Sequence, residues 1–215
     1  QLVAWVGEDN FLAGLRAYFD EFAWGNTELT DLLQHLETAS RRDLSDWTRQ
    51  WLQTSGVNLL RPEITVDEAG HYTSVAILQE PPATPPGLEP VLRDHRLGVG
   101  LYSTVDGRLE RTGSVEVDVT GARTEVPALV GVTQPDLLLI NDGDLTFAKI
   151  RLDERSLDTA LHHIGAIDEP LARTLIWGAA WDMTRDAEIS TGDFLQLVLS
   201  GLAVEPDVAV VQTIL

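Results

Sequence analysis

The sequence contains no cysteine and is poor in basic residues. The lack of cysteine excludes disulfide bonds, thiolate metal ligands and a cysteine nucleophile. Lys149 is the single lysine, and 15 basic residues stand against 34 acidic ones, a formal net charge of −19. Because a phosphate backbone attracts clustered Lys and Arg, this balance excludes nucleic acid as the main ligand. The acidic residues are spread along the chain, so we expect a solubilising surface.

The sequence also lacks any apolar run of the roughly 20 residues that a membrane helix needs. Gln1 to Val6 shows neither a basic leader nor a cleavage site, and the chain does not begin with Met. We therefore expect a piece excised from a longer protein, without a membrane anchor. The chain stops at Leu215 in a segment that is still apolar, so we expect both ends to be cut. The absence of cysteine fits the cytoplasm.

Residues 1–57 carry helical periodicity. Gly7 is expected to end a first short helix, while Thr27 and Asp43 are expected to cap the starts of later ones. Spacings of four, four and three predict one apolar stripe, formed by Phe11, Leu15, Phe19 and Phe22. The buried face of the next helix is predicted to be Leu29, Leu32, Leu33 and Leu36. In the following helix, Leu44, Trp47 and Trp51 are predicted to face inward.

Residues 58–151 change to an alternating pattern that is typical of strands. A turn at Glu68–Gly70 separates two such runs, and Asp106-Gly107 is a strong two-residue hairpin signal. About seven short strands at regular spacing predict an antiparallel β-sandwich. The connector Pro81–Pro90 contains five prolines. Because proline has no N–H to give to a ladder, we expect a surface loop.

Residues 152–215 are helical again. Pro170 is expected to begin a long helix that contains Trp177 and Trp181, and Ser190 or Thr191 is expected to cap another. Pro206 suits the first turn of a further helix. The predicted fold class is therefore α+β: a helical segment, an antiparallel β-sandwich and an α-helical segment, with domains at 1–57, 58–151 and 152–215.

A search for chemistry finds no catalytic pattern. No histidine begins a His-Glu-x-x-His motif, and the adjacent pair His162-His163 points in two directions on a helix, so it cannot readily hold one metal ion. There is no Gly-x-Ser-x-Gly elbow and no phosphate-binding loop. Gly98 and Gly100 alternate within a strand and indicate close packing. The residues thus predict no catalytic, cofactor-binding or metal-binding side chain in this chain.

Carboxylates and tryptophans have structural explanations as well. The carboxylates occur at helix starts and in turns, where they suit the helix dipole or the turn: Glu8, Asp9, Asp67, Glu68, Asp142 and Asp144. Two tryptophan pairs are spaced by four residues, a separation at which helical side chains share a face: Trp47 with Trp51, and Trp177 with Trp181. We interpret them as core residues.

The first 60 residues resemble the end of the catalytic domain of bacterial aminopeptidase N enzymes, particularly those of actinobacteria. The matching pieces are Gly7–Phe11, Gly14–Phe19, Gly25–Thr27, Leu36-Glu37, Asp43–Trp47 and Trp51–Val57. The sequence departs from the pattern at Val57-Asn58, where the family often has a proline. The other two zones agree with the family in order: a small β-sandwich and then a superhelical, repeat-like helical domain.

The resemblance implies a zinc-dependent enzyme that removes N-terminal residues from peptides. Its zinc ligands, general base and catalytic tyrosine lie upstream of the position that matches Gln1, so none is carried onto this chain, and Tyr18 is interpreted as a packing residue. We expect zinc in the parent enzyme and no cofactor in this part. The chain is then a non-catalytic scaffold portion of a zinc aminopeptidase. A catalytically inactive relative, kept as an interaction scaffold, remains the alternative.

The partners implied are peptides for the parent enzyme, with no nucleic acid and no membrane. We also expect the chain to associate with itself through apolar surfaces that the cut exposes. These surfaces are predicted to include Leu2, Val3, Trp5 and Val6 near the start, and Val208, Val211 and Ile214 near the end.

Overall fold

Helices occupy both ends of the chain and strands occupy its middle, as predicted. The computed structural model describes residues 1–83, 86–87, 89–206 and 208–214, without the side chains of residues 209, 213 and 214. The helices are α1 (Leu2–Val6), α2 (Glu8–Glu21), α3 (Leu29–Ser40), α4 (Ser45–Leu52), α5 (Glu154–His163), α6 (Pro170–Arg185), α7 (Thr191–Leu202) and α8 (Val208–Ile214). The strands are β1 (Leu59–Val66), β2 (Tyr72–Glu80), β3 (His95–Val105), β4 (Arg108–Val119), β5 (Arg123–Glu125), β6 (Leu137–Asp142) and β7 (Lys149–Ile150).

The caps of the first helical segment follow the local sequence, with two corrections. Asp43 is not the cap of α4: Leu44 holds that position, and Asp43 Oδ1 accepts from Ser45 N at 2.8 Å. Gly7 has a φ of 86° and ends α1, as predicted, because glycine adopts this conformation without a Cβ clash. Thr27 is not the cap of α3. Glu28 holds that position and donates its backbone N–H to Asp31 Oδ2 at 2.8 Å. The Thr27 hydroxyl instead lies 2.5 Å from the hydroxyl of Tyr18.

The apolar stripe of α2 was predicted one position wrong. Phe19 is 63% exposed, whereas Tyr18 contacts the ring of His35 on α3 edge-on. Steps of four residues overshoot the 3.6-residue helical period, so the inner face passes through position 18. Gly14 lies at the centre of this face, and a Cβ there would lie 2.8 Å from Leu36 Cδ2. Leu29 is likewise exposed. The core of this segment consists of Val6, Leu33, Leu36, Leu44 and Trp47.

The middle of the chain forms two sheets, which confirms the sandwich. One sheet has the order β5-β2-β1-β7 and the other β4-β3-β6. The predicted hairpin turns are present, and Asp106 and Gly107 both have positive φ, which matches the twist of the hairpin strands. One pair departs from the antiparallel pattern: β7 runs parallel to β1, with Leu59 opposite Lys149 and Leu60 opposite Ile150.

The last strand of the sandwich, β7, comprises only Lys149 and Ile150, and the preceding Thr146 lies outside it. Thr146 is held to Asn141 instead, because the Asn141 side chain accepts from Thr146 N at 3.0 Å and donates to Thr146 O at 2.8 Å. In the connector Pro81–Pro90, residues 84, 85 and 88 lie outside the described residues. The described ones belong to no strand, and all but the buried Pro82 are exposed.

The helices after the sandwich share its hydrophobic core. This core includes Leu97 and Ile140 of the sandwich together with Ile164, Trp177 and Leu197 of the helices. The Ser190 side chain caps α7, as predicted, and accepts from Asp193 N at 3.1 Å. Helix α5, capped by Asp153, was not predicted as a separate element, and α8 begins after Pro206. The domain boundaries after residues 57 and 151 stay predictions.

Candidate functional site

The most extensive buried polar cluster joins the end of α4 to the sandwich. We call it the polar joint and define it by Gln50, Thr54, Asn58, Arg93, Asp94 and His95. Arg93 is 3% exposed and lies two residues before β3, in the segment that follows the proline-rich connector. Helix α4 ends at Leu52, so the carbonyl groups of its last turn need donors from outside the helix. The polar joint supplies such donors.

The guanidinium of Arg93 provides one of these donors and binds three acceptors beyond the helix end as well. Its Nε donates to Gln50 O at 2.9 Å, and one terminal nitrogen donates to Asn58 Oδ1 at 2.6 Å. The other terminal nitrogen donates to Thr54 Oγ1 at 2.8 Å and to Ser55 O at 3.1 Å. These acceptors are neutral, and burial lowers the pKa of Arg93. The arginine thus acts as a multiple donor that fixes α4 on the sandwich.

Asp94 and Gln50 bind each other through backbone and side chain. Asp94 N donates to Gln50 Oε1 at 2.7 Å, and Gln50 Nε2 donates to Asp94 Oδ2 at 3.3 Å. Trp51 Nε1 donates to Asp94 O at 2.9 Å. Burial raises the pKa of Asp94, and the hydrogen bond from Gln50 partly opposes this rise. Helix α4 is therefore held in a fixed register against the residues that precede β3.

His95 is fully buried beneath the same helix. Gln79 Oε1 already accepts from Arg93 N at 2.9 Å, so His95 Nε2, at 3.1 Å from the same oxygen, must donate to it. His95 Nδ1 then accepts from the Thr146 hydroxyl at 2.6 Å. Burial, with a contribution from the charge of Arg93, lowers the pKa of His95 to about 3. The imidazole is therefore neutral, and both of its nitrogens are engaged in structural bonds.

The predicted histidine pair lies in the last turn of α5. The rings of His162 and His163 are 6.3 Å apart, and His162 Nδ1 is 2.8 Å from Asp158 O. Across the described part of the chain, no group of three or more His, Cys, Asp or Glu side chains is placed to hold a metal ion. The expectation of no site residue in this chain stays a prediction.

The four tryptophans interpreted as core residues differ in burial. Trp47 and Trp177 are buried, and Trp47 stacks on Trp51 with ring centroids 6.1 Å apart. Trp181 differs because it is 49% exposed, although its ring contacts Phe194.

Asp142 was expected to be a simple turn residue, but its carboxylate is buried. It accepts from the Tyr102 hydroxyl at 2.8 Å and from Arg111 Nη1 at 2.9 Å. Gly98 and Gly100 on β3 make room for it, since a Cβ at Gly100 would lie 2.5 Å from Asp142 Oδ2. This confirms the close packing expected of the two glycines. The sequence did not predict the burial of Asp142, because the space for its carboxylate is left by a glycine on another strand.

Comparison with known proteins places the chain in a family. The model of the peptidase family M1 domain matches residues 1–51, and that of the ERAP1-like C-terminal domain matches residues 137–215. The chain is 53% identical over 217 residues to aminopeptidase N of Streptomyces lividans, in an alignment that covers 100% of the chain. The chain belongs to the aminopeptidase N family. This confirms the resemblance drawn from residues 1–57.

Other aminopeptidase N proteins match shorter stretches. The protein of Lactococcus lactis subsp. lactis is 35% identical over 63 residues, or 29% of this chain and 7% of the relative. The protein of Escherichia coli strain K12 is 31% identical over 80 residues, or 37% of this chain and 9% of the relative. The chain spans 25% of the length of the Streptomyces lividans aminopeptidase N. No described helix is both long and apolar enough to cross a bilayer.

The residues of the polar joint lie inside and outside the range that the peptidase M1 model matches. Gln50 lies inside the range matched by the peptidase M1 model, whereas Asn58 and Arg93 lie between the two matched ranges. The hydrogen bonds of Arg93 therefore connect the end of the peptidase region to the sandwich. In this member of the aminopeptidase N family, the joint ties the two regions together alongside other contacts, such as the bond from Arg42 Nη2 to Asp118 Oδ2 at 2.9 Å.

Proposed function

We propose that this chain is the non-catalytic scaffold portion of a zinc-dependent aminopeptidase that removes N-terminal residues from peptides. The observation that carries the proposal is the 53% identity, along the whole chain, to an aminopeptidase N. The polar joint supports a scaffold role because it fixes the end of the peptidase region on the sandwich. The shared core then supports the following helices on the same sandwich.

The described residues do not fit a zinc site. Histidines and carboxylates that could act as ligands are dispersed or engaged elsewhere, and no described cluster of three is placed to bind a metal. We therefore propose that the zinc ligands of the whole protein lie outside this chain. The peptides on which the protein acts would bind there as well.

The proposal is tested by comparing the 215-residue chain with the whole protein. We expect the chain alone to hold no stoichiometric zinc after dialysis and to cleave no aminoacyl arylamide, while the whole protein does both. One tightly bound zinc per chain, or cleavage by the chain alone, would overturn the scaffold role. A whole protein that binds no zinc and cleaves nothing would instead favour the inactive relative.

Arg93→Met in the whole protein tests the contribution of the polar joint. We expect reduced activity at temperatures where the joint opens, with the zinc content unchanged. Arg123→Met is a matched control, because Arg123 lies on the surface of the same sandwich and is 43% exposed. Equal activities of the two variants would contradict the proposed role of the joint.

We also propose that the isolated chain associates with itself. Exposed apolar side chains support association, among them Val3 at 39%, Leu199 at 75% and Val208 at 68% exposure. The net charge of −19 opposes it, so we expect association to increase with salt. Light scattering over a salt series, with Val208→Asp as a control, tests this association.

We propose in addition that the whole protein is cytoplasmic. Fractionation of cells that express the whole protein tests this location.

A further inference from the structure

The sequence contains two Asp-Gly dipeptides, Asp106-Gly107 and Asp142-Gly143. In such a dipeptide the glycine nitrogen can attack the carboxyl carbon of the aspartate, because glycine has no Cβ to hinder the approach. The attack joins the glycine nitrogen to Cγ and closes a succinimide ring, while the carboxyl hydroxyl leaves with the amide hydrogen as one water molecule. Water then opens the ring at either carbonyl and gives aspartate or isoaspartate.

Asp106 and Gly107 form the tip of the hairpin between β3 and β4. Val105 and Arg108 are the last strand pair, and residues 104–108 are exposed. Among the described residues, the Asp106 carboxylate has no hydrogen bond or ion pair, and Gly107 N donates to no carbonyl. The two reacting groups are therefore free of bonds that would have to break before ring closure.

The backbone of the tip also favours ring closure. Asp106 has a φ of 50° and Gly107 a φ of 82°, the combination of a type I′ turn. Ring closure brings Gly107 N and the Cβ of Asp106 to the same side of the Cα–C bond. For an L residue this is a ψ of about −120°, the value at the first central position of a type II′ turn.

The hairpin can reach this ψ without coming apart. A type II′ turn keeps the positive φ of Asp106 and matches the twist of the same two strands. The change from one turn to the other rotates the peptide plane between Asp106 and Gly107, and glycine allows it because it adopts both signs of φ. The fold therefore holds Asp106 in a turn that leads directly to the succinimide.

Asp142-Gly143 is a matched site that the fold blocks. Asp142 belongs to β6 and pairs with Gly98 of β3, so ring closure there would disturb the sheet. Its side chain is 4% exposed, and it accepts from the Tyr102 hydroxyl through Oδ1 and from Arg111 through Oδ2. One oxygen must leave for the ring to close, so at least one of these bonds must break.

We propose that Asp106-Gly107 is a modification site of the folded chain, where aspartate is converted through a succinimide to isoaspartate, and that the fold protects Asp142-Gly143. Isoaspartate takes Cβ and Cγ into the main chain, so the turn gains one backbone atom and the former α-carboxyl becomes a free side group. This carboxyl is the group that methyltransferases specific for isoaspartate modify. The reaction does not depend on the aminopeptidase activity proposed for the whole protein.

The proposal is tested by peptide mapping of the 215-residue chain after ageing in warm neutral buffer, with circular dichroism to confirm that the chain is folded. Electron-transfer fragmentation distinguishes isoaspartate from aspartate at both sites in the same digest. We expect isoaspartate to accumulate at Asp106 at least about tenfold faster than at Asp142, because bonds to a buried carboxylate oppose ring closure. In denaturant neither site is held by the fold, and we expect the two rates to be similar.

Two variants assign the signal to Asp106. Asp106→Glu keeps the carboxylate, but its longer side chain would have to close a larger ring, so we expect most of the isoaspartate of the folded chain to be lost. Transfer of methyl groups from S-adenosylmethionine by an isoaspartyl methyltransferase measures this loss independently. Asp106→Asn keeps a residue suited to the turn and releases ammonia instead of water, so we expect it to form isoaspartate faster.

Three outcomes would each overturn the proposal. The first is equal rates at the two sites of the folded chain. The second is a rate at Asp106 that folding suppresses as strongly as the rate at Asp142. The third is a methylation signal that stays undiminished in Asp106→Glu.

Discussion

The guanidinium of Arg93, two residues before β3, lies 2.6 Å from the side-chain oxygen of Asn58, the residue before β1. Both residues are buried, and the bond joins the charged guanidinium to a neutral amide oxygen. Asn58 also donates to Glu80 O at 3.3 Å and to Val91 O at 2.7 Å, so it binds on both sides of the proline-rich connector. The contact fixes the start of β1 relative to the start of β3 and links both to α4.

Arg93→Met is expected to lower the free energy of unfolding by about 2–4 kcal/mol, because several buried acceptors lose their donor at once. Chemical denaturation of the chain measures this change. Arg123→Met, at an exposed position, is expected to change stability by no more than about 0.5 kcal/mol. A similar loss in both variants would show that Arg93 contributes no more than a surface arginine.

His95 is expected to make the chain sensitive to acid. Its pKa is about 3 in the folded chain and 6.5 in the unfolded chain, so only the unfolded state takes up a proton between these values. Stability therefore falls as the pH falls below 6.5. The loss from this residue is about 2 kcal/mol between pH 8 and pH 5.

His95→Gln isolates this effect. The variant lacks the titrating ring, so the stability difference between the native chain and the variant is expected to shrink by that amount on going from pH 8 to pH 5. Taking the difference cancels groups that titrate in both proteins. A difference that stays constant over this range would show that His95 is protonated in the folded chain.

The pKa of His35 is expected to be raised, whereas that of His95 is lowered. Its Nδ1 lies 2.7 Å from Asp31 O and its Nε2 lies 3.0 Å from Glu21 Oε2, so both nitrogens face acceptors. The bond to the Asp31 carbonyl, with help from Glu21, raises the pKa of His35 above 6.5. Its stabilising contribution is therefore complete below pH 6.5 and is lost as the pH rises through the raised value.

An NMR titration of the His35 ring measures its pKa directly. We expect a value above 6.5, which Glu21→Gln lowers in part because the Asp31 carbonyl remains. Asp46→Asn, on α4, is the control and is expected to leave the titration unchanged. A pKa at or below 6.5 in the native chain contradicts the double acceptor geometry.

Alanine substitutions at two glycines of the last helices are expected to change the stability of the chain in opposite directions. At Gly178 a Cβ meets no atom within 4 Å, so Gly178→Ala is expected to raise stability by about 0.5–1 kcal/mol through helix propensity. At Gly201 a Cβ would lie 2.5 Å from a ring atom of Trp177, so Gly201→Ala is expected to lower stability by about 1–3 kcal/mol. Thermal unfolding compares them, and changes of the same sign would contradict the packing around Trp177.

Features that depend on neighbouring residues could be predicted from the sequence. The turn at Asp106-Gly107, the end of α1 at Gly7 and the cap at Ser190 each need only a few residues to determine the backbone. The same local reasoning failed at Thr27, because a tertiary contact with the Tyr18 hydroxyl uses its side chain. It failed at Phe19 because equal steps of four drift away from the helical period.

The polar joint could not be predicted in this way. Arg93 is separated from Gln50 by 43 positions and from Asn58 by 35, and no periodicity relates them. A buried arginine also runs against the usual preference of this residue for the surface. The parallel pairing of β7 with β1 is equally non-local.

The sandwich is held to the helices on both sides by directional contacts. Hydrogen bonds are short and directional, so the contacts of Arg93 fix the orientation of α4 on the sandwich. On the other side, the buried Arg151 pairs with Asp186 and Glu188, and Ser156 Oγ accepts from Leu138 N at 2.8 Å. A rotation of either helical part against the sandwich would therefore break several hydrogen bonds at once, whereas the shared apolar core has no preferred direction.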